Sequence, residues 1–531
     1  MSSKVYPIDI SGIKSIGTEE WMKNYYIPVT GKKFQTIYDN VSTSFLDVLL
    51  KQNNNEVVYW IAISNMTVIN YTSQWISEVS RLIRLKGRGY EFIIGKEKAR
   101  IPNDISMYEY DSLAKINLIG KVVSGLNYQE RIKNVLSTIK YNIFPPVFAD
   151  RNFLANISSP AFFIGYRSQE GVVAYCNQSK IVPIHLHPLF FANNHHEEDN
   201  KYSEINEILG FVDSFISLLK KQFPGISSSL FELLRKKLNE CFRYSLLLFR
   251  QNVNVFRKFK PKKLLATGLG YPVHRLFCAS WRYAGGDVVG FKHGNSYSYG
   301  YYPGTIILLS LVNQYVTVTA GHKKLLQKAA EDFSCGLKMG NIIFTKQSHY
   351  ERLFKEMQRE KPVNKIKKIM LIGFPMSKFY YCVSPGGFAF AQLDMEIRLA
   401  KLLKKKGYNV IYKPHPMTMN EIEGIFDNYV DEIVEDKYEN VYDIADCILF
   451  GDYSTSTFGF SLLTNRPIVL IDIKGYYWFP KSFELLNKRC SIVMAELDES
   501  GRIVFEENEV LNAVEESISN INYDILYKFA F

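Results

Sequence analysis

Several absences narrow the reading of this 531-residue chain before any motif does. Its seven cysteines (Cys176, Cys241, Cys278, Cys335, Cys382, Cys447 and Cys490) lie far apart, and no two form a C-x-x-C pair. Neither a zinc knuckle nor a disulfide framework is indicated, and reduced thiols in a cytosol fit best. There is no Asp-x-Asp, and no Gly-Lys-Ser/Thr loop of the Walker kind, which argues against an ATPase. The longest apolar runs, such as Thr305–Val312, are too short to cross a bilayer, and the opening MSSKVYPIDI lacks the apolar centre of a signal peptide. The expectation is a cytoplasmic protein, soluble or peripheral on the inner face of a membrane. Internal repeats and low-complexity tracts are missing as well.

What remains is ordinary globular material, 47% hydrophobic and 22% charged, long enough for two or three domains. Aromatic residues make up 14%, a supply that suits deep cores or a sugar-binding cleft. The net charge is +11, from 64 Lys and Arg against 53 Asp and Glu. The basic residues are spread out, in small clusters at 258–263, 365–368 and 401–406, and no nucleic-acid motif is recognisable. Nucleic acid, an anionic membrane surface or an anionic substrate could each want this charge; the clusters fit a solvated surface, and peripheral attraction to anionic lipid is the better functional reading.

Hydrophobic periodicity alternates between strand and helix along most of the chain. Val57–Ser64 reads as a buried strand, Gln74–Leu85 as a helix and Tyr90–Ile94 as a strand. Ile205–Lys221 and Leu230–Phe256 read as long helices. Lys263–Thr267 reads as a strand running into the turn Gly268–Pro272 and a helix, and Asp287–Lys292 as a strand ending at His293-Gly294. The charged stretch Glu351–Lys368 reads as a linker. Beyond it Ile369–Gly373, Asn409–Tyr412, Cys447–Phe450 and Pro467–Asp472 read as strands, and Phe390–Lys406 as a helix closed by Gly407. This rhythm predicts an α/β protein with parallel, doubly wound sheets, whose ligands sit at the carboxyl ends of the strands. The expected division is 1–350, 365–505, and a final helix within 506–531 crossing back to the first domain.

Two loops in the second half carry candidate chemistry. In Lys413-Pro414-His415-Pro416, two prolines pin one histidine just past a strand, where its ring N–H can meet a phosphate oxygen and Lys413 adds positive charge. Ser454-Thr455-Ser456-Thr457 lies between a strand and a helix and offers hydroxyl and amide donors beside the helix dipole. Alone, the first also fits a structural turn and the second a plain helix cap. Together, some forty residues apart in sequence and both following strands of one sheet, they fit a leaving nucleotide phosphate held by protein dipoles rather than by a metal. Asp394 and Glu396 read as exposed helix residues. The loop Asn193–Asn200, with His195, His196, Glu197, Glu198 and Asp199, reads as solvated, or as a source of a carboxylate base.

Lys413–Pro416, the Ser/Thr loop and the following Phe458–Pro467 resemble bacterial capsule and lipopolysaccharide glycosyltransferases, including Kdo, sialyl- and polysialyltransferases. The resemblance implies a GT-B fold of two Rossmann-like domains facing a cleft, with a CMP-sugar co-substrate and no other cofactor. Its phosphate would be held by His415, Ser454, Thr455 and Ser456, with Lys413, Pro416 and Thr457 alongside. Lys292-His293-Gly294-Asn295 is similar to the Gln-His-Gly turn of the Kdo transferases. This puts His293 at the reaction centre, with Gly294, Asn295, Tyr297 and Tyr299 as candidate acceptor or sugar contacts. The carboxylate base of those enzymes has no counterpart here, since the turn after Lys263–Thr267 carries none. Asp452-Tyr453-Ser454-Thr455 with Phe458 also resembles the motif of teichoic-acid CDP-glycerol polymerases, whose catalytic His-Gly turn would again fall on His293. The Lys-Pro before His415 favours the first group. The expected function is metal-independent transfer of an acidic keto-sugar from a CMP donor to a bacterial surface polysaccharide or glycolipid. The alternatives are polyol-phosphate transfer from CDP-glycerol and a catalytically silent binding scaffold.

Overall fold

Short apolar runs bounded by glycine and proline build the sheets. The computed structural model describes residues 4–7, 10–52, 55–94, 97–100, 161–165, 170–181, 183–186, 203–259, 263–291, 308–317, 320–333, 337–345, 355–356, 362–374, 389–416, 419–453, 455–474, 478 and 480–521. Three strands, β1 (Lys4–Pro7), β2 (Tyr90–Ile94) and β3 (Glu97–Arg100), form a small sheet near the N-terminus. Six more form an all-parallel sheet in the order β5-β4-β6-β7-β8-β9. They are β4 (Ala161–Ile164), β5 (Pro183–His185), β6 (Lys263–Ala266), β7 (Asp287–Phe291), β8 (Gln314–Thr317) and β9 (Asn341–Phe344). The third sheet has the order β12-β11-β10-β13-β14-β15-β16 and is parallel except for its last pair. Its strands are β10 (Lys368–Ile372), β11 (Asn409–Lys413), β12 (Glu432–Ile433), β13 (Cys447–Phe450), β14 (Ile468–Ile473), β15 (Ser491–Leu497) and β16 (Ile503–Val504). Two open parallel sheets wound in both directions are the α/β architecture that the periodicity predicts.

Helices before the second sheet are α1 (Ile10–Ile16), α2 (Thr18–Lys23), α3 (Gly31–Leu50), α4 (Glu56–Ser64) and α5 (Thr67–Gly87). The stretch Val57–Ser64, expected as a strand, lies in α4. Asn55 caps that helix by accepting from the Val58 N–H at 3.2 Å. Val58, Ile61, Ala62 and Ile63 are all buried, so the helix is enclosed on most sides and shows the unbroken apolar run of a core strand. α6 (Glu170–Ser179), α7 (Ile205–Gln222), α8 (Ser228–Phe259), α9 (Pro272–Tyr283) and α10 (Ala320–Phe333) follow. Most of these helices share one core with a face of the β4–β9 sheet, in which Phe45 meets Phe211 and Phe215 edge-on. The aromatic surplus is spent largely here, in packing.

Strand alternation then feeds two faces. In β10, Ile369 and Leu371 enter one core while Met370 and Ile372 enter another. α11 (Ala389–Lys405) crosses from β10 to β11 and ends at Gly407, whose φ of 88° is the left-handed turn that closes a helix. Beyond it come α12 (Met419–Ile422), α13 (Ser456–Leu462), α14 (Pro480–Asn487) and α15 (Glu507–Glu516).

α15 lays Val510, Leu511 and Val514 into the core of the third sheet, and 522–531, the rest of the stretch expected to cross back, lies outside the described residues. The N-terminal segment joins that same core through Ile10, Ile13, Trp21, Met22, Tyr25, Ile27 and Phe34. Ile27 N–H donates to Ser500 O at 2.9 Å and Tyr25 Oη to Gly501 O at 3.2 Å. α3 then carries the chain into the core of the β4–β9 sheet through Val41, Phe45 and Val48.

Candidate functional site

Where β10 pairs with β11 on one side and β13 on the other, the direction of winding reverses. In an open parallel sheet the carboxyl edge at such a reversal is a ready crevice. The His415 loop leaves β11 and the Ser/Thr loop leaves β13, so both open on this edge with one strand between them, a separation of about 10 Å at the strand ends.

Lys413 is the last residue of β11, buried, with Nζ donating to Pro414 O at 3.1 Å. Burial lowers its pKa, opposed by the carboxylates of Glu439, Asp436 and Glu435. His415 is half-buried, and Pro416 beside it is exposed. Burial, followed by the charge of Lys413, holds the imidazole below its ordinary value, so at neutral pH it is uncharged and offers one N–H. Thr455 caps α13, its Oγ1 accepting from Phe458 N at 3.2 Å, which leaves its hydroxyl proton to donate elsewhere. Ser456 is exposed and Thr457 half-buried. Ser454, His293, Gly294, Asn295, Tyr297, Tyr299 and the acidic loop at 193–200 lie outside the described residues.

Beneath the loops, α11 supplies side chains that the helical pattern alone assigns to the surface. Glu396 and Asp394 are fully enclosed, contrary to the expectation of exposed positions. Glu396 accepts from the Phe374 N–H just past β10 and from the Tyr412 hydroxyl on β11, both at 2.8 Å. Burial, with Asp452 nearby adding to it, pushes this carboxyl up to about 8 against those two hydrogen bonds. A Cβ on Gly373 would lie 2.4 Å from Tyr412 Oη, so the strand ends are close-packed around the carboxyl. Asp394 pairs instead with Arg398 at 2.8 Å and Arg502 at 3.1 Å. Two residues apart, the two acids leave α11 in different directions, each buried with its own partners, and a hydrophobicity pattern cannot distinguish a partnered buried acid from a solvated one.

A second unforeseen group stands at the end of β14. Asp472 is buried, with both carboxyl oxygens 3.0 Å from the Trp478 indole nitrogen, and burial pushes it up to about 6. Trp478 in turn packs on Tyr453 of the Ser/Thr loop, with centroids 4.2 Å apart. The one sequence signal was an aspartate inside the run Ile468–Ile473, otherwise aliphatic.

A model of the family described as CDP-Glycerol:Poly(glycerophosphate) glycerophosphotransferase matches residues 344–478. That span holds the His415 loop, the Ser/Thr loop, Glu396, Asp472 and Trp478, and it is the second of the two families that the motifs resemble. No curated protein matches the chain. Among solved structures the chain is similar to the UDP-GlcNAc 2-epimerase of Methanocaldococcus jannaschii, crystallised with UDP-GlcNAc and UDP. The identity is 12%, covering 68% of this chain and 92% of that one, with a TM-score of 0.37. Among the described residues, no helix is long and apolar enough to cross a membrane.

Proposed function

We propose that the chain transfers a polyol phosphate from a CDP-linked donor such as CDP-glycerol to a hydroxyl of a surface glycan or glycolipid, releasing CMP. The acceptor oxygen bonds to the β-phosphorus as its proton passes to His293 and on to solvent, the bond from that phosphorus to the bridging oxygen breaks, and CMP leaves with the electron pair. The neutral N–H of His415 and the hydroxyls of Ser454, Thr455, Ser456 and Thr457 hold the phosphates, and buried Lys413 supplies positive potential without needing a metal. His293 acts at the reaction centre.

One observation carries this reading. The two donor-bearing loops leave strands on either side of the winding reversal, within the stretch matched to the glycerophosphotransferase family. Transfer of an acidic sugar from a CMP donor is the second reading, favoured by the Lys413-Pro414-His415 order. Release of CMP from CDP-glycerol, set beside release from CMP-linked acidic sugars, separates the two. In either case His415→Ala should lower kcat by about 100-fold or more while the thermal midpoint holds. Wild-type turnover in that variant would remove His415 from the site, and CMP binding without turnover of any donor would leave a silent scaffold.

A further inference from the structure

β14 pairs with β13 so that Leu470 lies level with Phe450, the last residue of β13. Asp472 stands two residues further toward the carboxyl edge, on the strand next to the one that feeds the Ser/Thr loop. It is the one charged residue in a strand buried throughout its length. Enclosing a carboxylate costs stability unless a cation or several donors meet it. Here the Trp478 indole N–H meets both oxygens at 3.0 Å, and among the described residues no cation offsets the burial. A leucine would fill the place without that cost, so packing alone does not account for the acid. A local cost of this kind, at the ligand-facing edge of a sheet, is where function is to be sought.

Three elements meet at Trp478. Asp472 of β14 holds its N–H, its ring lies 4.2 Å from that of Tyr453 and tilted by 33° to it, and Phe483 of α14 stands 5.7 Å away. Tyr453 opens the Ser/Thr loop, two residues before Thr455, the cap of α13. Contact therefore runs from Asp472 through the indole to Tyr453, and so to the hydroxyls that the proposed reaction uses. A tryptophan side chain turns about two bonds, and tying its N–H to a fixed strand end removes that freedom. We propose that Asp472 is a positioning residue for the donor's phosphates: its grip on the indole sets the Trp478 ring on Tyr453, and the ring holds the Ser/Thr loop in place to receive them. The role rests on the donor reading above and needs no contact between Asp472 and substrate. Without the latch, part of the donor's binding energy would go into ordering the loop, so binding should weaken while the chemical step stays intact.

CMP affinity and steady-state kinetics with CDP-glycerol test the latch. Asp472→Ala should raise the Kd for CMP and the KM for CDP-glycerol about 10-fold, with kcat near wild type. Asp472→Asn keeps a carbonyl oxygen for the indole N–H and should restore most of that loss. Trp478→Phe keeps a ring against Tyr453 but has no N–H, and should weaken CMP binding as much as D472A does. The double variant should bind no more weakly than either single one, since both remove the same contact. A carboxylate of structural importance only would shift the thermal midpoint and leave Kd and KM at wild-type values. That outcome, or additive losses in the double variant, would overturn the assignment. If D472A does not fold, W478F carries the test, and wild-type CMP affinity in that variant overturns the role. A wild type that binds neither CMP nor CDP-glycerol sinks the donor reading and this role together, whereas a wild type that binds them, with D472A and W478F binding as tightly, sinks this role alone.

Discussion

Glu396 sets two costs against each other at a single residue. Two hydrogen bonds favour its ionised form, but full enclosure disfavours it more, and the carboxyl is pushed up to about 8. Unfolded, it would titrate near its ordinary 4.5. A carboxyl raised in the folded state leaves stability intact below the unfolded value and removes it as pH climbs toward the folded one. At full effect that interval corresponds to roughly 5 kcal/mol at most. Glu396→Gln keeps an acceptor for Phe374 N and a partner for Tyr412 but cannot ionise. Urea melts of the variant should therefore lose less stability between pH 5 and pH 8 than those of wild type. Parallel curves would mean that the carboxyl titrates alike in the folded and unfolded chain, so that burial does not raise it. The function follows from the same packing: a neutral, closely held carboxyl fixes the ends of β10 and β11, and through Tyr412 the start of the His415 loop.

At the scale of the element, the short helix α13 is stable for a reason that lies elsewhere in sequence. Arg489, fully enclosed, donates to Leu462 O at 3.2 Å, Ser461 O at 3.3 Å, Thr464 O at 2.8 Å and Arg466 O at 3.0 Å. Ser461 and Leu462 carry the last carbonyls of α13, which lack intrahelical donors, and Thr464 and Arg466 belong to the turn that follows. A lysine has the charge but not the planar fork, so Arg489→Lys should cost about 3 kcal/mol and loosen the Ser/Thr loop. The check is the thermal midpoint together with CMP affinity; an unchanged midpoint would show that the guanidinium is dispensable. Arg489 also marks where sequence reading stops. Strands β10, β11, β13 and β14, Gly407 as a helix end and the two loops flanking the reversal were legible, because apolar alternation and Gly/Pro punctuation are local signals; β15 and β16 were not read. Glu396 and Arg489 were not, because their partners lie 16 to 28 residues away, nor was Asp472, whose partner Trp478 lies past the end of its strand. The α4 segment failed for the opposite reason, since burial on most sides erases the helical period.

For the whole molecule, the N-terminal strap decides how the two parallel sheets act as one body. Trp21 packs edge-on against Phe390 at 6.0 Å, beside the first residues of α11. Arg502 donates to Met22 O, lies 4.6 Å from the Tyr25 ring and pairs with buried Asp394. Glu19 accepts from Lys401 at 2.5 Å and from Tyr429 at 2.8 Å, but the acid is exposed and this pair contributes little. The apolar contacts therefore dominate, with Trp21 the largest of them. Truncating a buried tryptophan removes about 3–5 kcal/mol through lost transfer energy and the cavity left behind. Because residues 10–34 hold the third sheet while α3 is built into the core of the second, that loss falls on the coupling between sheets and spares the interior of either. Trp21→Ala should split a single unfolding transition into two, the lower one accompanied by rapid amide exchange and proteolysis within residues 10–30. One transition at the wild-type temperature would show that the sheets are joined by other contacts, such as Leu325 of α10, which shares a core with Met370 of β10 and Phe458 of α13. A cleft lined by loops from two sheets needs those sheets held in register. Trp21→Ala should therefore also raise KM for the acceptor more than for the nucleotide, which is proposed to bind on the third sheet alone.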